Sequence, residues 1–195
     1  MLMNAGTERE KMVAGQLYRA ADPELVAARI HARQVVRAYN ASDPAAEDER
    51  RALLTGLFAR FGEGATIEPP FHCDYGWNIS LGDGAYVNVD CVILDCAPVS
   101  IGALALIGPG VKLFAATHPV DPAQREAGHE HALPIVIGRN VWVGAGVVVG
   151  PGVTIGENSV VGAGSVATRD VPAGVVAAGS PCRVLRRVNG AQRED

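Results

Sequence analysis

The chain has 195 residues, 48% of them apolar, with 17 Lys and Arg against 21 Asp and Glu and a formal net charge of −4. No run approaches the ~18 apolar residues of a membrane helix, and the mildly acidic balance argues against broad nucleic-acid binding. The N-terminus lacks a charged-then-apolar leader pattern, so one soluble globular unit in the cytoplasm is expected.

Residues 7–60 are charged, alanine-rich and poor in glycine. Thr7-x-x-Glu10 has the spacing of a capping box. Asp22-Pro23-Glu24 opens a second helix, a cap residue followed by Pro at the first position. Leu25, Ala28, Ile30, Val35, Val36 and Tyr39 give it an apolar side. Ser42 or Asp43, ahead of Pro44, opens a third, running to about Phe61 with Leu53, Leu54, Leu57 and Phe58 inward. Residues 1–62 are thus read as a helical segment that covers the open end of the repeat region beginning at residue 63, whose edge would otherwise stay bare.

Residues 63–188 are organised in sixes. The series begins Ile67, Cys73, Ile79, resets by two at Leu81-Gly82, Val87, Ile93, and resets again after Val99-Ser100 to Ile101, Ile107, Leu113. From Ile137 six consecutive units agree in phase: Ile137-Gly138, Val143-Gly144, Val149-Gly150, Ile155-Gly156, Val161-Gly162 and Ala167-Thr168. Their fourth places are Asn140, Gly146, Gly152, Asn158, Gly164 and Asp170, residue types that tolerate positive φ best, so each six carries a corner. Neither a helix nor an alternating strand has this period; short fixed periods mean repeat architecture. Closing a flat-sided coil takes at least three sides. Residue i therefore stacks on i+18, and the fold is mainly β, a parallel β-helix with an N-terminal α-helical segment.

After His118 the period lapses until Ile137, leaving a long excursion over residues 119–136, which holds Asp121, Arg125, Glu126, His129, Glu130 and His131. A loop of this length leaving a regular scaffold is usually functional or disordered. The tail carries Arg183, Arg186 and Arg187, and residues 189–195 are expected to fray. Cys73, Cys91, Cys96 and Cys182 form no CxxC pair, and Cys73, on the apolar phase, reads as a buried thiol of a reducing compartment.

His118 stands in Thr117-His118-Pro119, where the scaffold stops and the excursion starts. A neutral imidazole takes a proton at physiological pH. Against a catalytic role stands a plain surface corner; the context favours the former. Asp74 and Asn88 are otherwise an exposed acid and a corner turn. Trp142, in the sixth place of its repeat, is too large for the narrow interior.

The chain resembles the maltose and galactoside O-acetyltransferases, a branch of the hexapeptide-repeat acyltransferases that includes the nodulation-type acetyltransferases. The resemblance rests on Glu10–Tyr18, Cys73–Ile79, Asn88, Val92–Asp95, Thr117-His118-Pro119, Asn140–Gly144, Pro151–Gly156 and Gly162–Val166, in family order over almost the whole chain. It implies a left-handed β-helix and a homotrimer with active sites between subunits, the excursion reaching across. It also implies direct acetyl transfer from acetyl-CoA to a sugar hydroxyl, with His118 as general base and Asn88 beside it in the catalytic set. Asp74, Tyr86, Asn88 and Asp95 then border the acceptor, with Asp74 pointing to the maltose-type branch. Trp142, Ala145, Ala163, Thr168 and Arg169 line the CoA groove, and Arg169, Arg183 and Arg186 meet its phosphates, since Arg forks onto phosphate oxygens. No metal is expected.

Two other readings stay open. Xenobiotic acetyltransferases acting on streptogramins or chloramphenicol share the coils and the loop histidine, but usually lack this helical segment. The β-helix carbonic anhydrases bind zinc through three histidines; their H-x₄-H spacing fails here because Ala123 occupies the second position.

Overall fold

A computed structural model of the chain describes residues 6–188. Thr7 caps α1 (Glu8–Val13): its hydroxyl accepts the Glu10 N–H, and the Glu10 carboxylate accepts the Thr7 N–H in return. Asp22 caps α2 (Pro23–Asn40) by accepting the Glu24 N–H. Leu25, Ala32, Val36 and Tyr39 form the buried side of α2, whereas Ile30, expected there, is 51% exposed. Ile30 lies two positions before Ala32, which at 3.6 residues per turn puts it on the opposite side. The third helix is shorter than expected: α3 (Glu47–Leu57) begins after Ala46, without a side-chain cap. Asp43 closes only a turn, accepting the Ala45 N–H. Phe58 is already extended, and Arg60–Phe61, expected at the helix end, pairs as a strand with Ser80–Leu81.

From Arg60 the chain winds as a parallel β-solenoid of about six turns with three faces. Ile137 lies on Ile155, Val143 on Val161 and Val149 on Ala167, the i+18 register read from the sixes. The earlier coils take 20 residues, Ile67 on Val87, Cys73 on Ile93 and Leu81 on Ile101, which is what the two-residue resets encode. One coil takes 36, Ile101 on Ile137, because it contains the excursion. The last takes 16, Val161 on Ala177.

The first residue of each six points inward and is buried. Asn140, Gly146, Gly152, Asn158 and Gly164 take positive φ at the corners. Asp170 does not; its carboxylate accepts the Thr154 N–H at 2.8 Å instead. The glycine in second place has a different cause. A Cβ on Gly144 would stand 2.6 Å from the Ala163 nitrogen, and one on Gly138 2.6 Å from the Glu157 nitrogen, so at these two corners the stacked backbone leaves no room for a side chain.

The helices close the first rung with polar side chains as well as apolar ones. Asn40 both donates to the Phe71 carbonyl and accepts the Phe71 N–H. The Tyr39 hydroxyl donates to the Ile67 carbonyl, and Arg51 to the Gly62 carbonyl. These are edge groups that the parallel ladder leaves over. At the far end Arg183–Arg187 runs antiparallel to Val175–Ala178. The fraying expected for 189–195 concerns residues outside those described. Among the described residues no helix is long and apolar enough to cross a membrane. All four cysteines are free thiols, with Cys73, Cys91 and Cys96 buried.

Candidate active site

The excursion is a folded lobe. The chain leaves the face after Lys112–Phe114, continues as Ala116–Thr117, and turns through α4 (Pro122–Glu126), capped by Asp121. It returns as His129–Ala132, antiparallel to Ala116–Thr117, and rejoins the coil at Ile135, which pairs with Val99. His129–Ala132 also pairs with Tyr18–Arg19, so a three-stranded sheet ties the N-terminal segment to the lobe. Fully buried Tyr18 donates its hydroxyl to Glu130 Oε2 at 2.9 Å, and burial holds that hydroxyl well above the usual tyrosine range. His131 Nε2 lies 2.8 Å from the Gly15 carbonyl, which can only accept, so Nε2 carries the proton.

His118 stands at the root of this lobe, exposed, with no hydrogen-bond partner for its ring among the described residues. It shares a cleft of about 540 Å³ with Gly15, Leu17, Thr117, Pro119, Val120, Gln124 and His131. The sheet to Tyr18–Arg19 fixes the walls of this cleft from outside the repeats.

Asp74 follows the strand Phe71–Cys73 and lines a separate cavity of about 570 Å³ between that strand and α2. The loop from Asp74 to Asn78 is held from beneath. Asp95 Oδ1 accepts the N–H groups of Asp74 and Tyr75, Oδ2 that of Asn78, and the Asn78 amide donates to the Asp95 carbonyl. Cys96 Sγ lies 3.5 Å from Asp74 Oδ2. From the other side Arg29 donates to the Tyr75 hydroxyl and to the Ala20 carbonyl, each at 2.6 Å. Burial raises both carboxyls, Asp74 above its usual range and Asp95 to about 6.

Asp95 was expected to border the acceptor. It is fully buried with both oxygens engaged, so it shapes the Asp74 loop and presents nothing to a ligand. Tyr86 stands on another face, in an outward row with Leu106 and Trp142. Asn88 is at the corner before Cys91–Leu94, its side-chain oxygen accepting the Val89 N–H at 2.8 Å. His118 follows the other end of that same face, so within one chain Asn88 and His118 are not brought together.

Trp142 is 56% exposed. Ala145 and Ala163 stack at the corner after it, while Thr168 and Arg169 lie one corner further on. Arg183 and Arg186 are exposed on the terminal strand; each bonds only a neighbouring carbonyl, and neither meets a carboxylate among the described residues. The described residues contain no group of three or more His, Cys, Asp or Glu side chains placed to hold a metal ion. Arg29 is not singled out by the sequence, and Tyr18, Glu130 and Cys96 are visible there without any role at the site. They act through contacts between residues 20 or more positions apart, which no local spacing announces.

Comparison with known proteins gives this geometry its setting. The maltose acetyltransferase hexapeptide capping motif matches residues 11–62, and six bacterial transferase hexapeptides match residues 134–169. Nodulation protein L of Rhizobium meliloti strain 1021 is 50% identical over 178 residues, spanning 91% of this chain and 97% of that protein. The crystal structure of a maltose O-acetyltransferase from Clostridium difficile 630 superposes with a TM-score of 0.92 at 41% identity, covering 94% of this chain and 98% of that one. A galactoside acetyltransferase in complex with coenzyme A gives 0.90 at 42% identity, covering 94% and 92%. Repeats, helical cap and near-full-length similarity agree: the chain belongs to the maltose and galactoside O-acetyltransferase family and is an acyltransferase built on hexapeptide repeats.

Proposed function

We propose that this enzyme acetylates a hydroxyl of a maltose- or glucose-like sugar with acetyl-CoA, His118 acting as general base. The observation that carries the reading is the exposed, unengaged imidazole of His118 in a cleft whose walls are held by a dedicated three-stranded sheet. The imidazole takes the hydroxyl proton as the oxygen attacks the thioester carbonyl. A C–O bond forms, the C–S bond breaks, and the imidazolium returns its proton to the departing CoA thiolate. General-base help of this kind is worth ~10²–10⁴-fold.

Acetyl-CoA as donor is supported by the related structure with coenzyme A bound. In this chain Trp142, Ala145 and Ala163 offer one wall, Thr168 and Arg169 lie on the next corner, and the guanidinium groups of Arg183 and Arg186 are open to phosphate. Groups divided between two corners meet when chains pack side by side, and the same holds for Asn88 and His118. A homotrimer with sites between subunits fits that division. Leu106 and Trp142, 49% and 56% exposed, supply an apolar outer row for such packing. Free buried thiols fit a cytoplasmic setting. The capping motif over residues 11–62 favours a sugar over a xenobiotic acceptor.

The test is His118→Ala. It should bind to immobilised CoA as the wild type does while losing most acetyl transfer to maltose. Turnover within about tenfold of wild type removes His118 from the base role.

A further inference from the structure

Arg29, Arg33 and Arg37 recur at four-residue spacing on α2, so three guanidinium groups share one side of the helix. Like charges at this spacing repel, so a row of three calls for partners. Arg29 has them in Tyr75 and Ala20. Arg33 lies close enough to Asp74 to favour its ionised form. Arg37 has no side-chain hydrogen bond or ion pair among the described residues.

The bonds between Asn40 and Phe71 fix the register of α2 against the strand Phe71–Cys73, the helix running opposite to it. With Arg33 beside Asp74 and Asn40 on Phe71, Arg37 falls level with His72. All four of Arg33, Arg37, His72 and Asp74 line the 570 Å³ cavity, over a floor that includes Val36, Ala41 and Leu94. One end thus offers a carboxylate to hydroxyl groups. The other offers the Arg37 guanidinium and the His72 imidazole, and the two ends are about 7 Å apart along the strand.

We propose that this groove binds an acceptor sugar carrying an anionic substituent, a carboxylate or a phosphate, with Arg37 and His72 at the anion and Asp74 at the hydroxyl end. The inference rests on the sugar acetyltransferase reading and narrows its substrate class.

The experiment compares kcat/KM for maltose, maltose 6′-phosphate and maltobionate, each with acetyl-CoA, in the wild type and in Arg37→Gln. At least one anionic sugar should exceed maltose by about tenfold, the usual size of a charge-assisted contact. The advantage should shrink at high salt. Arg37→Gln should remove it while leaving maltose within about twofold. The phosphate and carboxylate arms report which anion is taken. Anionic sugars no better than maltose, or a variant that weakens all three alike, overturn the proposal. Failure of the wild type to acetylate any of the three strikes the sugar acetyltransferase reading itself.

Discussion

Asp95 accepts the backbone N–H of Tyr75 at 2.9 Å from a position with no solvent exposure. Its carboxyl is raised by burial to about 6, against 3.8 for a free side chain. Near neutral pH the folded chain therefore carries a charge in a dry place beneath the Asp74 loop, offset by three backbone N–H groups.

The pH dependence comes from that shift. The folded state holds the Asp95 proton to higher pH than the unfolded chain does. Its contribution is complete below about pH 4 and is lost as pH rises through about 6. Asp95→Asn cannot titrate. Between about pH 4 and about pH 7 the melting temperature of the wild type should fall relative to that of the variant. A difference that stays flat across the window shows that the carboxyl does not titrate there.

Two glycines in equivalent places of neighbouring sixes should respond unequally. A Cβ on Gly144 would meet the Ala163 nitrogen at 2.6 Å, whereas one on Gly150 meets nothing nearer than the Ala167 oxygen at 3.5 Å. Gly144→Ala should cost about 1–3 kcal/mol by overpacking. Gly150→Ala should fall within about 0.5 kcal/mol of the wild type. Chemical denaturation of the pair decides it, and equal losses would mean that corner spacing is not what selects glycine.

Removing the Tyr18 hydroxyl tests whether the lobe positions His118, the proposed base. Tyr18→Phe keeps the buried ring but deletes its bond to Glu130. A hydrogen bond to a charged group is worth about 1.5–3 kcal/mol. The melting temperature should drop by several degrees, and kcat should fall more than the KM for acetyl-CoA rises. Unchanged kcat would show that the His118 cleft does not depend on this tie.

The proposed trimer can be tested on the outer row. Leu106 is 49% exposed and in register with Trp142. In an isolated chain Leu106→Asp would be nearly silent. At a subunit contact it buries a carboxylate, and sedimentation should show species smaller than three chains. Wild-type protein sedimenting as one chain would sink the shared-site account.

The legible part of the sequence was its periodic part. Ile137 over Ile155 follows from phase alone, and the two-residue resets at Leu81 and Ile101 carry the length of the early coils. Asp22-Pro23 and Thr7-x-x-Glu10 announced helix starts because caps are local chemistry. The start of α3 was misread since Asp43 is a good cap residue that closes only a turn. Asp95 misled for another reason. Its type suggested contact with a sugar, but its direction was set by N–H groups 17 to 21 residues earlier in the chain. The excursion read as open loop because its pairing partner, Tyr18–Arg19, lies more than a hundred residues away.

The backward-running strand Arg183–Arg187 has a consequence beyond the proposed phosphate contact. The helices cover the first rung, so a bare last rung would match only the bare last rung of another molecule, and two such edges join tail to tail. A reversed strand with five exposed residues, three of them arginines, breaks that match by direction and by like charge. Chains trimmed before Arg183 should therefore associate in end-to-end pairs at concentrations where the intact protein stays dispersed.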